Sequence, residues 1–169
     1  MKAFGVDPGY GRLGVAIVER IHEKERLLYS SCIETDPRDP TPSRLRYIGE
    51  EIERIIKAWS PDILATERLY FSKNQKTAMG VSEARGVILY LAGKLSVPIL
   101  EFTPLEVKLT VTGYGKADKG QVARMVRTLL ALPQVPRSDD ECDAIALALT
   151  AIAERKRLYP QKTGEGIEK

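Results

Sequence analysis

The sequence predicts a single α/β domain in which helices flank a mixed β-sheet. Three apolar strand patterns come first and helical patterns then alternate with further strands, which is the order expected of a mixed sheet covered by helices. The chain has 169 residues, of which 43% are hydrophobic and 29% are charged, as is ordinary for one globular domain. We expect the domain to span residues 1–157 and residues 158–169 to form a flexible tail.

The first three expected strands are short apolar runs: residues 2–6, residues 13–18 and a run within residues 26–33. The first run stops at Asp7-Pro8-Gly9, in which the Pro-Gly pair marks a turn. Residues 36–42 hold three prolines and two aspartates and are expected to form a loop. Apolar residues at helical spacing then predict a helix over residues 43–59 that ends at Ser60-Pro61.

Strands and helices alternate in the rest of the chain. Two apolar runs are expected strands: residues 62–66 and residues 97–102. Three helical patterns are expected: residues 74–95, a segment capped by Asp118, and an alanine-rich segment that ends at Ala153. Glu67 directly follows the first of these strands, and either Ser138 or Asp139 caps the last helix.

The composition excludes several classes of protein. No apolar run approaches the roughly 18 residues of a membrane span. The chain turns acidic at Asp7, too early for a signal peptide. Cys32 and Cys142 are too far apart in sequence for a disulfide framework or a zinc-binding spacing. We therefore expect a reduced, cytoplasmic protein.

The distribution of charge is more informative than the formal net charge of +3. Residues 68–127 carry ten Lys and Arg against four acidic residues, whereas the flanking regions are slightly acidic. A basic centre of this kind can bind phosphate groups, as in nucleic-acid recognition. A solvated, lysine-bearing surface explains it equally well.

Four carboxylates do not fit a purely structural interpretation: Asp7, Glu67, Asp140 and Asp143. Two of them end apolar strands. The other two lie three residues apart, so that a helix places them on one face, and that face continues into Leu147. Three separate elements can therefore aim carboxylates at the same side of the sheet.

Clustered carboxylates repel one another and are costly to desolvate, so a shared proton or a bound cation must offset the cost. Mg²⁺ takes oxygen ligands, and two such ions can promote hydrolysis of a phosphodiester. Alternatives remain for each residue taken singly. Asp7 can organise its turn, Asp140 can cap the last helix, and Glu67 can pair with an arginine.

Five blocks of the sequence, in this order and spacing, resemble those of the RuvC family of crossover-junction endodeoxyribonucleases. The blocks are Val6-Asp7-Pro8-Gly9, Glu67-Arg68-Leu69-Tyr70-Phe71-Ser72-Lys73-Asn74, Glu83-Ala84-Arg85-Gly86, Val107-Lys108 and Asp140-Glu141-Cys142-Asp143-Ala144-Ile145-Ala146. The resemblance implies a ribonuclease H-like fold and a homodimer that binds four-way (Holliday) junction DNA and nicks two strands of like polarity. It also implies Mg²⁺, for which Mn²⁺ can substitute, two ions in each active site, and the RuvA and RuvB proteins as partners.

The resemblance also assigns roles to residues. The acidic site of the family falls on Asp7, Glu67, Asp140 and Asp143, as catalytic groups and metal ligands. DNA-binding roles fall on three residues: Tyr70, Lys108 and Lys119. Tyr70 would stack on an unpaired base near the crossover, and the two lysines would lie near the scissile phosphate. Arg68 is a cation that can pair with Glu67 and compete with a metal ion.

Two other functions are compatible with parts of the sequence. A junction-binding protein without cleavage activity would share the basic centre, although it would have no need of all four acids. An ATP-binding protein of the actin and sugar-kinase type has a similar Asp-x-Gly turn, here Asp7-Pro8-Gly9. Such proteins enclose the nucleotide between two domains, for which 169 residues are too few.

Overall fold

The computed structural model describes residues 1–68 and 75–155. Its five strands are β1 (Lys2–Asp7), β2 (Arg12–Ile21), β3 (Lys24–Glu34), β4 (Ile63–Glu67) and β5 (Ile99–Phe102). They form one sheet in the order β3-β2-β1-β4-β5. The first three strands pair antiparallel, and β4 pairs parallel to both β1 and β5. The predicted mixed sheet is therefore confirmed.

Within the described residues, five helices cover the two faces of this sheet: α1 (Thr41–Trp59), α2 (Gln75–Lys94), α3 (Pro104–Thr112), α4 (Lys119–Leu129) and α5 (Asp139–Ala153). One face packs against α1 and α2 through large side chains such as Phe4, Ile17 and Leu64. The other face packs against α3, α4 and α5 and is lined near β1 by small residues such as Ala3, Ala16 and Ala65. The alternation of strand side chains separates these two cores.

The last helix, α5, lies closest to the sheet. A Cβ atom on Gly5 would come within 1.9 Å of the Ala144 carbonyl oxygen, and one on Gly14 within 1.9 Å of the Asp140 carbonyl oxygen. Only glycine permits this approach of backbone to backbone. The two glycines therefore bring the first half of α5 directly over β1 and β2.

The helix α3 is the main element that the sequence analysis did not predict. It begins with a capping box, in which the Thr103 hydroxyl accepts from the Glu106 amide and the Glu106 carboxylate accepts from the Thr103 amide. Pro104 occupies the first turn, where its missing N–H is not needed. The Thr-Pro-x-Glu signal of this helix start is present in the sequence at residues 103–106.

Element boundaries differ from the prediction at a few places. The helix α1 begins at Thr41 rather than residue 43, because Pro42 is tolerated in its first turn. The strand β5 begins at Ile99 rather than residue 97. Asp118 caps α4 as predicted, and Ser138 rather than Asp139 caps α5. Within the described part of the chain, no helix has the length and apolarity to cross a membrane.

Candidate active site

The four predicted carboxylates line one open cavity of about 410 Å³. Asp7, Glu67, Asp140 and Asp143 come from β1, β4 and α5, elements far apart in sequence. The structure therefore brings together all four acids that the sequence analysis selected. The cavity has apolar walls as well: Pro104, Val107, Val122 and Leu147.

The pairing of β1 with β4 places Asp7 beside Glu67. The two strands are parallel, with Val6 opposite Thr66, so the next residue on each strand is a carboxylate at the same edge of the sheet. Their side chains point to the face that α5 covers, because Gly5 and Ala65, two residues earlier, also lie on that face.

The helix α5 supplies the other two acids. Its first turn reaches the cavity because Gly14, opposite Asp7 in the β1–β2 pair, lies under the Asp140 carbonyl. Asp140 and Asp143 are three residues apart and share a face, as predicted. Cys142 lies on another side of the helix and is 6% exposed. Burial, and next the Asp143 carboxylate, raise the pKa of this thiol to about 12, so it stays protonated.

Two lysines complete the rim of the cavity. Lys108 comes from α3, and Lys119 is the first residue of α4. The Lys119 ammonium lies 3.6 Å from a carboxylate oxygen of Asp143. It also lies 3.3 Å from a carboxylate oxygen of Asp139, a residue that does not line the cavity. Both lysines that the family resemblance selected therefore lie beside the acids, where they can contact a phosphate group.

Arg12 is a neighbour of the site that the sequence analysis missed. Its guanidinium lies 3.0 Å from an Asp140 carboxylate oxygen, and the Cys32 thiol lies 3.8 Å from the same oxygen. Arg12 is the first residue of β2 and follows a Gly-rich turn, which gave no signal of this contact. Arg12 thus neutralises Asp140 from the side of the sheet that carries β3.

Crowding of the acids changes their titration. Burial, followed by the charges of Asp143, Glu67 and Asp140, raises the pKa of Asp7 from 3.8 to about 7. Burial and the charge of Asp143 raise the pKa of Glu67. Burial also raises the pKa of Asp143, which Lys119 opposes. The lysine therefore offsets only part of the repulsion, and further positive charge would stabilise the ionised cluster.

The donor set fits a hard divalent cation, because it consists of carboxylate oxygens at an open edge of the sheet. Among residues 1–68 and 75–155, however, no three His, Cys, Asp or Glu side chains are grouped so that they could hold a metal ion. Asp140 is engaged by Arg12, and Asp143 by Lys119. A cation at this site would therefore complete its coordination with water or substrate oxygens, as Mg²⁺ usually does.

We predict that Asp7→Asn stabilises the metal-free protein at pH 8 and has a much smaller effect at pH 4.5. The pKa of Asp7 is higher in the folded than in the unfolded chain, so folding becomes less favourable as the pH rises from about 4 through 7. The shift corresponds to roughly 2–4 kcal/mol above pH 7, and the neutral amide removes that cost. Thermal melts in chelator should show a gain of several degrees at pH 8.

Asp39→Asn is the matched control for this prediction, because it removes one negative charge from an exposed loop. Its melting temperature should follow that of the wild type at both pH values. Equal melting temperatures of Asp7→Asn and wild type at pH 8 would contradict the crowding of charge at Asp7.

Arg68 and Tyr70, two residues of the second sequence block that resembles the family, follow Glu67 in the sequence. Tyr70, the expected base-stacking residue, lies outside the described residues, as does the expected tail, 158–169. Arg68 is exposed, and its backbone N–H donates to the Phe102 carbonyl at 2.8 Å. Among the described residues, Lys119 is a cation whose charge opposes the upward shift of the Glu67 pKa.

Comparison with known proteins gives consistent matches over most of the chain. A family model described as crossover junction endodeoxyribonuclease RuvC matches residues 3–151. The RuvC of Thermosipho melanesiensis is 47% identical over 88% of this chain and 94% of its own length. The RuvC of Desulforamulus reducens is 43% identical over 88% of this chain and 91% of its own length.

Solved structures agree with these sequence matches. Thermus thermophilus RuvC in complex with a Holliday junction substrate superposes with a TM-score of 0.88 at 32% identity, over 93% of this chain and 96% of that chain. The yeast mitochondrial Holliday junction resolvase Ydc2 superposes with a TM-score of 0.67 at 14% identity, over 94% of this chain and 80% of that chain, which supports the fold alone. The ribonuclease H-like mixed sheet is therefore confirmed.

Proposed function

The chain belongs to the RuvC family of crossover junction endodeoxyribonucleases, and we propose that Asp7, Glu67, Asp140 and Asp143 are the catalytic carboxylates with which it cuts four-way DNA junctions. It is a Holliday junction resolvase, a hydrolase of phosphodiester bonds that acts in recombination and repair. The observation that supports the residue assignment is the convergence of the four acids on one cavity.

A nuclease of this family depends on a divalent metal. We propose that the ion is Mg²⁺, that Mn²⁺ can replace it, and that each site takes two ions, held by Asp7, Glu67, Asp140 and Asp143. When bound, such ions supply positive charge that neutralises the carboxylates and increases the acidity of the attacking water. The raised pKa of Asp7 supports the proposal, because it reports an excess of negative charge in the cavity.

The other residues of the cavity would bind and orient the DNA. Lys108 and Lys119 lie on the neighbouring helices α3 and α4 at the rim, where their ammonium groups can donate to the oxygens of the scissile phosphate. The apolar wall formed by Val107, Val122 and Leu147 limits the access of water on that side of the cavity. Tyr70 keeps its proposed role of stacking on an unpaired base.

Paired nicks require two active sites, and we infer that the protein acts as a homodimer. The face of α2 opposite its buried residues is a suitable surface for a second copy. Met79 and Tyr90 on this face are 70% and 67% exposed. Between them lies Gly86, where an added Cβ would meet no atom within 4 Å. A helix face with small residues between large apolar ones can pack closely against its symmetry mate.

We further propose RuvA and RuvB as partners and the cytoplasm as the location. Both proposals follow from the family, and the free thiols of Cys32 and Cys142 are compatible with a reducing compartment.

A synthetic four-way junction, compared with a linear duplex of the same sequence, tests the function. With Mg²⁺ the wild type should make paired, symmetric nicks in the junction and leave the duplex intact. A chelator should abolish the nicks, whereas a gel-shift assay should still detect the bound junction. Cleavage that persists in chelator would contradict the metal proposal. Binding without nicks in both Mg²⁺ and Mn²⁺ would contradict the proposed metal-dependent cleavage by these carboxylates.

A further inference from the structure

Arg12 reaches a carboxylate of the catalytic cavity from outside that cavity. Asp140 lines the cavity, whereas Arg12, Cys32 and Glu34 line a separate polar hollow of about 670 Å³. No residue in the described part of the chain lines both. The Arg12 guanidinium contacts the Asp140 carboxylate from the hollow, at 3.0 Å. Asp140 therefore stands between the cavity and the hollow and is accessible to a cation from either side.

The pairing of β2 with β3 places Arg12 between two acids. Arg12 lies directly opposite Glu34 in the strand register, where cross-strand side chains on one face come into contact. Its Nε atom lies 3.8 Å from a Glu34 carboxylate oxygen, and its Nη2 atom lies 3.0 Å from an Asp140 carboxylate oxygen. Arg12 thus shares its charge between an acid of the active site and an acid that does not line the cavity.

The pairing of Arg12 with Asp140 can be exchanged at little cost. The side chain of Arg12 is 54% exposed, so solvent screens the ion pair. Glu34 is 68% exposed and already lies beside the guanidinium. A rotation of the Arg12 side chain within the open hollow would therefore release Asp140 while the charge of Arg12 stays paired with Glu34.

Arg12 and a metal ion would compete for the same carboxylate. A guanidinium next to a carboxylate offsets the negative charge that attracts a divalent cation. A cation bound at Asp140 would also lie within range of the positive charge of Arg12, which repels it. Because Arg12 does not line the cavity, its effect on the site passes through Asp140.

We propose that Arg12 is a positioning residue that lowers the affinity of the active site for a divalent cation by pairing with Asp140. Glu34 takes over the pairing with Arg12 when the cation binds. The proposal rests on the proposed function, in which Asp140 is a metal ligand. The affinity for the cation is then set by three charged groups, of which Arg12 and Glu34 lie outside the cavity.

Binding of Mn²⁺ to the DNA-free protein, with the free ion measured by electron paramagnetic resonance, tests the proposal. Arg12→Gln should lower the Kd for Mn²⁺ about three- to tenfold, because a screened positive charge next to a divalent cation is lost. Glu34→Gln should raise the Kd about twofold, because Arg12 loses the acid that draws it from Asp140. The double variant Arg12→Gln/Glu34→Gln should have the Kd of Arg12→Gln, since the effect of Glu34 passes through Arg12.

Matched variants separate competition at Asp140 from a change of net charge. Arg54→Gln removes the same charge from α1, which packs on the other face of the sheet, and should leave the Kd unchanged. The side chain of Arg54 is 55% exposed and lies 2.7 Å from Glu51, so it is a close match to Arg12. Arg12→Lys keeps the charge and should stay within about twofold of the wild type. In an Asp140→Asn background, Arg12→Gln should no longer tighten binding.

The Mg²⁺ concentration for half-maximal cleavage of a four-way junction is a second measurement. In Arg12→Gln this concentration should fall by the same factor as the Kd for Mn²⁺. A disturbed fold would lower the cleavage rate without lowering the Mg²⁺ requirement. Thermal melts in chelator should show that all variants are folded.

Metal binding by the wild type separates a failure of this proposal from a failure of the proposed function. If the wild type binds no Mn²⁺, the metal ligands are wrongly assigned and the proposal falls with them. If the wild type binds Mn²⁺ but Arg12→Gln binds it equally or more weakly, Arg12 does not compete for Asp140. Tighter binding by Arg54→Gln to the same extent would make the effect one of net charge. A Kd of Glu34→Gln at or below that of the wild type would contradict the exchange of Arg12 between the two acids.

Discussion

Replacement of Asp7 by asparagine should lower the rate of junction cleavage by about 10³-fold or more while junction binding is retained. Asp7 lies between the carboxylates of Glu67, Asp140 and Asp143, all of which raise its pKa. The amide is nearly the same size but offers no negative charge to a cation. Removal of a buried charge should also reduce repulsion of the phosphates, so the affinity for the junction should be equal or higher.

Asp139→Asn is the matched control for the cleavage experiment. Asp139 adjoins Asp140 in sequence, but it does not line the cavity and its side chain is 75% exposed. The Asp139→Asn substitution should therefore lower the cleavage rate less than tenfold. Single-turnover cleavage of a bound junction measures both variants without interference from product release. Cleavage by Asp7→Asn at the wild-type rate would remove Asp7 from the active site.

Gly14→Ala should destabilise the protein by about 3 kcal/mol or more and impair cleavage in the fraction that folds. The added Cβ would lie 1.9 Å from the Asp140 carbonyl oxygen, and a helix backbone cannot move aside as a flexible side chain can. Relief of the overlap requires the start of α5 to move away from the sheet, which takes Asp140 and Asp143 from the cavity. Chemical denaturation, together with single-turnover cleavage of the folded fraction, measures both effects.

Gly11→Ala is a suitable control, because its added Cβ would meet only the Arg44 side chain at 3.8 Å, an ordinary contact. It should change the stability by less than about 1 kcal/mol. Gly5→Ala, whose added Cβ would meet the Ala144 carbonyl at 1.9 Å, should be as destabilising as Gly14→Ala. Wild-type stability of both Gly5→Ala and Gly14→Ala would show that α5 does not lie against the sheet as described.

The site balances its charges unevenly. Asp140 has Arg12 as a partner and Asp143 has Lys119, whereas Asp7 is flanked by carboxylates. Asp7 is therefore costly to ionise, and its pKa is raised to about 7. This asymmetry explains why a single substitution at Asp7 should affect both stability in chelator and cleavage.

The strands, most of the helices and the candidate acids could be predicted from sequence, because their signals are local. Apolar alternation in β1 and helical spacing in α1 extend over a few residues and are visible in one dimension. The spacing of Asp140 and Asp143 already placed them on one helix face. The capping box of α3, in which Thr103 and Glu106 bond each other's backbone, is an equally local signal.

The sequence by itself determined which residues carry the charge and which segments become strands or helices, because short-range sterics and hydrophobic periodicity act between near neighbours. Only the tertiary structure decided that Asp7 and Glu67 lie side by side, since the register of β1 with β4 joins residues 60 positions apart. It also decided the approach of α5 through Gly5 and Gly14, and the contact of Arg12 with Asp140. These distances depend on how close two backbones can pack, which no single segment specifies.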